Sequence, residues 1–541
     1  MYRTADTGSN QRSGKSRLEL YVLSSVTGPF PNSTISDLFS VRRNHVKAGE
    51  KSAEGTAMSI DHTCAKALFI GGNCHLSAGN AREAEECFRE AIRLVPNFAE
   101  AHTNLGLLLA QEGMQAEAEH RYLHSITLNP YSGKPHLNLG VLLTNQKRFE
   151  EAEAAYRRAL ELIPGSPVAW LNLGALQACR KQEKEAEISY RKALKLDPNY
   201  RLAYFNLSYL FLRQGRFEEG WRCLEARDWY THLEKTIPCP RWRGESLKGL
   251  SLVIGFEAGH GDMIQFCRYA AILKAQGAAQ ITLICHPALK TLFTTVDGID
   301  AVFAFDETIP SSEWDFWTPP FSIPYYCQTR LDSIPADIPY LRADKKLVER
   351  WSSVLSRECV SSDVRVGLVW KGNTNFENDA DRSLPNLKTL ESLGAVAGVR
   401  FFSLQKCVAE DEAASPPTGL PLVNLGPQIS DFADSAAIVM NLDLVICVDT
   451  AIAHLAGAIG KDCWVLLPDY KTDWRWLTGR NDSPWYPSGM RLFRQPRMGD
   501  WAMVVAEVRM ALQRFAAKPR PTCQKHKQRN RWDLSPPTGR G

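Results

Sequence analysis

The sequence predicts an α-helical repeat solenoid followed by an α/β region of two Rossmann-like lobes. Three observations carry that prediction. Small, aromatic and proline positions recur at a fixed step of 34 residues between about 65 and 230. Short apolar runs alternate with helical patterns over 245–342 and again over 343–517. A chain of 541 residues is also too long for one hydrophobic core, so several folding units are needed.

The step of 34 is met first by Gly72, Gly106, Gly140 and Gly174, with Ser208 in the next place. Ala84, Ala118, Ala152 and Ala186 keep it, followed by Gly220. Phe88, Tyr122, Tyr156 and Tyr190 form an aromatic series, and Pro96, Pro130, Pro164 and Pro198 close each unit. A helix pair per unit explains all four series. Small residues let two helices approach, and the aromatic fills the space between repeats. Proline ends the second helix because it lacks an N–H and clashes in a helix interior. One pair cannot bury its apolar face, so stacking supplies the core. This pattern resembles the tetratricopeptide repeat family over about 165 residues.

Asn104, Asn138, Asn172 and Asn206 make a fifth series, each just before the leucine of an "NLG" or "NLS" triplet. A carboxamide both donates and accepts, so a ladder of them along an inner groove grips a peptide backbone without reading its side chains. A similar ladder is a feature of the repeat domain of O-GlcNAc transferases. The alternative is that these asparagines follow the repeat consensus and face water.

After Trp229 the helical period fades into a Pro- and Gly-containing lead-in. Strands are expected at 250–256, 281–286 and 301–305, then a Trp/Pro-rich stretch at 314–341 and a polar helix near 344–357. Further strands are expected at 364–370, 399–405, 421–426, 443–449 and 462–468. A last helix over about 500–517 is expected to pack back on the first lobe. Apolar strands bounded by helices imply parallel sheets covered on both faces. Ligands of such sheets bind outside the carboxyl ends of the strands, so two facing lobes place the site in the cleft between them.

The strand-end motifs supply the candidate chemistry. "GFEAGHGDMIQF" follows the first strand, and Asp262 stands where its helix begins. Capping is the ordinary role of aspartate there. A general base at a cleft-facing strand end is the other. Glu257 and His260 are weaker candidates on the same rim. "VDTAIAHLAGAIG" opens a helix whose free N–H groups near Thr450 and Ala451, with the Thr450 hydroxyl, suit a phosphate. Asp449 precedes them, and His454 lies one turn in, toward ligand or core. "LVWKGN" and "SLQK" place Lys371, Asn373, Gln405 and Lys406 at two more strand ends, where the lysines can hold a diphosphate as point charges. The triplet Asp379-Ala380-Asp381 is too weak a signal for a metal site, and no metal is expected.

Together "GHGDMIQF", "SLQK", "DLVICVDTAIAHLAGAIGK" and "DWRWLTGRNDSPWYPSGMRLFRQ" resemble family 9 glycosyltransferases, the heptosyltransferase-like enzymes of GT-B fold, over about 245–515. The likeness is to bacterial proteins carrying such a domain behind tetratricopeptide repeats. It implies a metal-independent, inverting transfer from a nucleotide-diphospho-sugar, with no other cofactor. Asp262 matches the family's acidic base. Asp449, Thr450 and His454 match its donor-site segment, with Lys371 and Ala451 beside the leaving diphosphate. The loop around Lys371 departs from the family's phosphate-binding segment. Heptosyltransferases also normally lack a repeat array, so the donor sugar stays open.

Composition bounds the partners. Net charge is only +4, which excludes a strong global field for nucleic acid. Basic residues gather in 518–541, which reads as a solvated, disordered tail, and residues 1–60 read as a disordered extension or as sequence ahead of a start at Met58. Fourteen scattered cysteines without metal spacing read as reduced core residues of a cytoplasmic protein. No apolar run reaches the roughly 18–20 residues of a membrane span. Two functions follow: a glycosyltransferase whose repeats recruit a protein or peptide acceptor, or an interaction scaffold with an inactive transferase-like domain.

Overall fold

The computed structural model describes residues 54–518, apart from 311–313, 361 and 375–377. Most of 1–60 and of the basic tail lies outside them. Five helix pairs follow the repeat: Glu54–Ser77 with Ala81–Leu94, Ala99–Gln111 with Gln115–Leu128, Gly133–Asn145 with Phe149–Leu162, Pro167–Cys179 with Glu183–Leu196, and Arg201–Arg213 with Phe217–Leu224. The period is explained inside each pair. A Cβ added at Gly140 would stand 2.5 Å from the Tyr156 ring, and one at Gly106 2.8 Å from Tyr122. The aromatic ring therefore lies on the glycine of its own helix pair, rather than in the gap between repeats as its spacing suggested. Each proline stands two residues beyond the end of its helix.

The α/β region holds two parallel sheets. In the first lobe β1 (Ser251–Ile254), β2 (Gln280–Cys285), β3 (Ala301–Ala304) and β4 (Phe316–Thr318) lie in the order 3-2-1-4. In the second, β5 (Val364–Val369), β6 (Val399–Ser403), β7 (Leu422–Asn424), β8 (Leu444–Val448), β9 (Cys463–Leu467) and β10 (Met490–Arg494) lie in the order 10-9-8-5-6-7. That is the doubly wound order, whose switch point falls between β5 and β8. The two strands that patterning did not predict, β4 and β10, both lie at sheet edges. Edge strands are short or charged, which hides them from an apolar-run reading.

The last helix, Trp501–Ala516, does not cross to the first lobe. Its Trp501, Val504, Val508 and Leu512 are buried with Trp464 and Phe493 of the second lobe. It covers the apolar face of its own sheet.

The three parts converge on Trp221 of the last repeat helix. Its ring meets Phe266 of the first lobe at 6.4 Å, and Trp474 and Trp485 of the second at 5.3 and 6.4 Å. Its indole N–H donates to the Thr329 carbonyl at 3.0 Å. Edge-to-face aromatic contacts of this size bind the array to both lobes. Among the described residues no helix is long and apolar enough to cross a membrane.

Candidate functional site

The carboxyl ends of β1 and β8 face each other through the helices that follow them, His260–Phe266 and Ala451–Ala458. The helices touch at Gly261. A Cβ there would stand 2.8 Å from His454 Cδ2 and 3.3 Å from Ala451 Cα. Glycine lets two lobes meet where any side chain would hold them apart.

Asp262 lies at this junction, in the first turn of its helix, three residues after Gly259 at the N-cap. One carboxylate oxygen accepts the Gly259 N–H at 2.9 Å, the back-reaching half of a capping box. The other accepts from the Arg475 guanidinium of the second lobe. Burial pushes the Asp262 carboxyl up, against the pull of Arg475. Arg475 is buried too. It donates to Asp473 Oδ1 at 2.9 Å and to Gln265 Oε1, and its ring-like plane lies 4.5 Å from the Trp474 ring centre. Sequence reasoning missed Arg475, although an arginine between two tryptophans in "DWRW" was a signal for a buried cation.

His454 is buried, 2.9 Å from the Tyr486 hydroxyl and stacked on Trp476 at 5.4 Å. Burial pushes its imidazole down to about 3, so the ring is neutral at the lobe junction and turned to the core. Thr450 is the N-cap of its helix, but its hydroxyl does not cap the first turn. Asp449 is buried beside it.

At the switch point Gln405 is spent on the backbone. Its carbonyl accepts the N–H groups of Trp370 and Lys371 at 3.1 and 3.0 Å, and its amide donates to Lys371 and Val408 carbonyls. Lys371 Nζ donates to the Pro385 carbonyl and Lys406 Nζ to that of Gly426, each at 2.8 Å. Asn373 is exposed. Lys371, Gln405 and Thr450 thus share one edge of the second sheet, with Asp262 reaching it from the first lobe.

The other rim candidates are structural. Glu257 pairs with Arg227 in a bridge fully shielded from solvent, which stitches the end of the array to β1. His260 meets the His286 ring edge-to-face at 4.4 Å, and burial pushes it down to about 4. Asp379 binds Ser383 and Arg382, while Asp381 pairs with Lys147 of the third repeat.

The asparagine series is buried throughout: Asn104, Asn138 and Asn172 are fully shielded and Asn206 is 2 % exposed. They do not face water. Asn104 Nδ2 donates to Asn73 Oδ1 of the preceding pair at 2.6 Å, so this carboxamide links neighbouring repeats.

The family models match the array, and the similarity to one curated protein reaches beyond it. The tetratricopeptide repeat family matches residues 134–166 in one form and 72–133 and 169–220 in another. Protein FlbA of Caulobacter vibrioides is 28 % identical over 330 residues, covering 57 % of this chain and 54 % of that protein. The chain thus spans about half the length of this relative. Among solved structures, MamA 41-end from Desulfovibrio magneticus RS-1 is 21 % identical, covering 32 % of this chain and 97 % of its own, with TM-score 0.26. PilW, a type IV pilus biogenesis factor, is 18 % identical over 31 % of this chain and 78 % of its own, with TM-score 0.29. Residues 72–220 are tetratricopeptide repeats, set in front of an α/β region of parallel sheets.

Proposed function

We propose that the chain is a glycosyltransferase of GT-B type. It moves a sugar from a nucleotide-diphospho-sugar to a protein or peptide recruited by the repeats. The observation that carries this reading is the meeting of the two strand-end helices, with Asp262 on one and the Thr450 helix end on the other. An acceptor hydroxyl between them gives its proton to Asp262 as its oxygen attacks the anomeric carbon. The bond from that carbon to the diphosphate breaks, the configuration inverts, and the nucleoside diphosphate leaves. Backbone N–H groups after Thr450, with Lys371, stabilise its charge. Asp262 acts only when released by Arg475, and an arriving diphosphate is a partner that can draw that guanidinium away.

The second reading is an interaction scaffold with an inactive domain. It is favoured by the two hydrogen bonds that already occupy Asp262. A thermal-shift screen of nucleotide-sugars separates the two. A binder at a hundredfold excess over its dissociation constant stabilises by about 2.7 kcal/mol. A flat response across the panel supports the scaffold.

A further inference from the structure

A cleft of about 690 Å³ lies between the turn of the fourth repeat and the loops that follow β9 and β10. That volume is in the range of small-molecule sites. Five cations line it: Lys181, Lys184, Arg213, Lys471 and Arg494. Three carboxylates stand against them, of which Asp469 is taken by Lys181 and Glu183 by Arg213.

Arg494 is the unusual member. Its guanidinium donates to the carbonyls of Arg480, Trp476 and Leu477 at 2.7–3.0 Å, and among the described residues no carboxylate pairs with it. Its charge is therefore held rigid and uncompensated. Burial pushes Arg494 down to about 10. Gln495 next to it is 4 % exposed. Its carbonyl is fixed by the N–H groups of Asp469 and Gly499, while its amide nitrogen has no acceptor. A smaller chamber shares Arg213, Lys471 and Thr472 with the cleft, and there the buried Trp474 indole N–H is also without a partner. These orphan groups are donors. A buried donor without an acceptor is destabilising, and a ligand oxygen that accepts from it relieves that cost.

We infer that this cleft binds a compact anionic small molecule, through phosphate or carboxylate oxygens taken by Arg494 and Lys184. A ligand there touches the repeats on one wall and the second lobe on the other, so it fixes the array on the lobe. A cleft of this volume fits a compact guest. None of the residues assigned to sugar transfer is in this set, so the inference stands apart from that reading.

The test is calorimetric titration of the full chain with inorganic pyrophosphate and, separately, with citrate. A glutamate-rich peptide is the control, and Lys371→Ala reports on the switch-point edge. The expected result is one site for citrate, and for pyrophosphate the same site in addition to the diphosphate edge at Lys371. Arg494→Gln weakens the citrate site at least tenfold and Lys184→Ala on the exposed helix face two- to fivefold, while Lys371→Ala removes only the additional pyrophosphate site. Lys184→Ala keeps the test valid if Arg494→Gln misfolds. Binding lost in Lys371→Ala but kept in Lys184→Ala and Arg494→Gln overturns the inference. So does binding of the peptide alone, or no heat with any anion at millimolar concentration.

Discussion

Lys181 stands in a left-handed turn of the fourth repeat, and its ammonium pairs with Asp469 beyond the carboxyl end of β9. The turn position follows the repeat step. Gly79, Gly113 and Gly215 occupy it with φ near +80°, whereas Lys147 and Lys181 occupy it with φ of 63° and 62°. Those two lysines are the ones that reach the second lobe, Lys147 pairing with Asp381. The array accepts backbone strain at the two turns where it docks.

Lys181→Gly relieves about 1 kcal/mol of left-handed strain and loses an exposed ion pair of about 0–1 kcal/mol. Its urea midpoint should match that of the parent. Lys181→Ala keeps the strain without the pair and should unfold earlier, by about 1 kcal/mol relative to Lys181→Gly.

Glu257 and Arg227 form a bridge shielded on both sides, and Glu225 is a second partner of Arg227 at 3.0 Å, so removing Glu257 leaves the buried guanidinium with one carboxylate. Glu257→Gln should destabilise the junction of array and first lobe by about 1–3 kcal/mol. Hydrogen exchange of residues 217–257 reports it. Protection equal to the parent would show that the bridge is dispensable.

His454 has a folded pKa of about 3, below its ordinary value of about 6.5. Below pH 6.5 the unfolded chain takes up a proton that the folded chain refuses. Stability from this group is full above that pH and falls toward pH 3, by up to about 1.4 kcal/mol per unit. His454→Phe keeps the stack on Trp476 without the titration. Its urea midpoint should fall less steeply between pH 7 and 4.5 than that of the parent.

Arg475 restrains the rise of the Asp262 carboxyl pKa that burial causes. Arg475→Gln should raise it further, so the acid limb of the transfer rate against pH moves upward. The base must be ionised, so activity falls as pH drops through that limb. An unmoved limb would separate Asp262 from the proton transfer.

The repeats were legible because each series has a local steric cause, such as Tyr156 lying on Gly140. Eight strands were legible as apolar runs, while β4, inside the Trp/Pro-rich stretch, and β10, which carries Arg491 and Arg494, were not. At the site, sequence located Asp262, Lys371, Gln405 and Thr450 at strand ends. It did not reveal that Gln405 is consumed by Trp370 and Lys371, or that Arg475 lies 213 residues from Asp262 in sequence and on it in space. Such pairings depend on how two lobes close, which no local pattern encodes. The asparagine period was visible, but its burial was not, because a polar residue repeated in a groove and one repeated between helices have the same spacing.

The most direct test of the account is Asp262→Asn, an isosteric change that removes the base. The transfer rate to a protein acceptor and the dissociation constant of the nucleotide-sugar are measured in parallel on the full chain. Transfer should fall at least a hundredfold, with nucleotide-sugar affinity within a few-fold of the parent. Turnover equal to the parent would contradict the assignment of Asp262 and the transfer mechanism built on it.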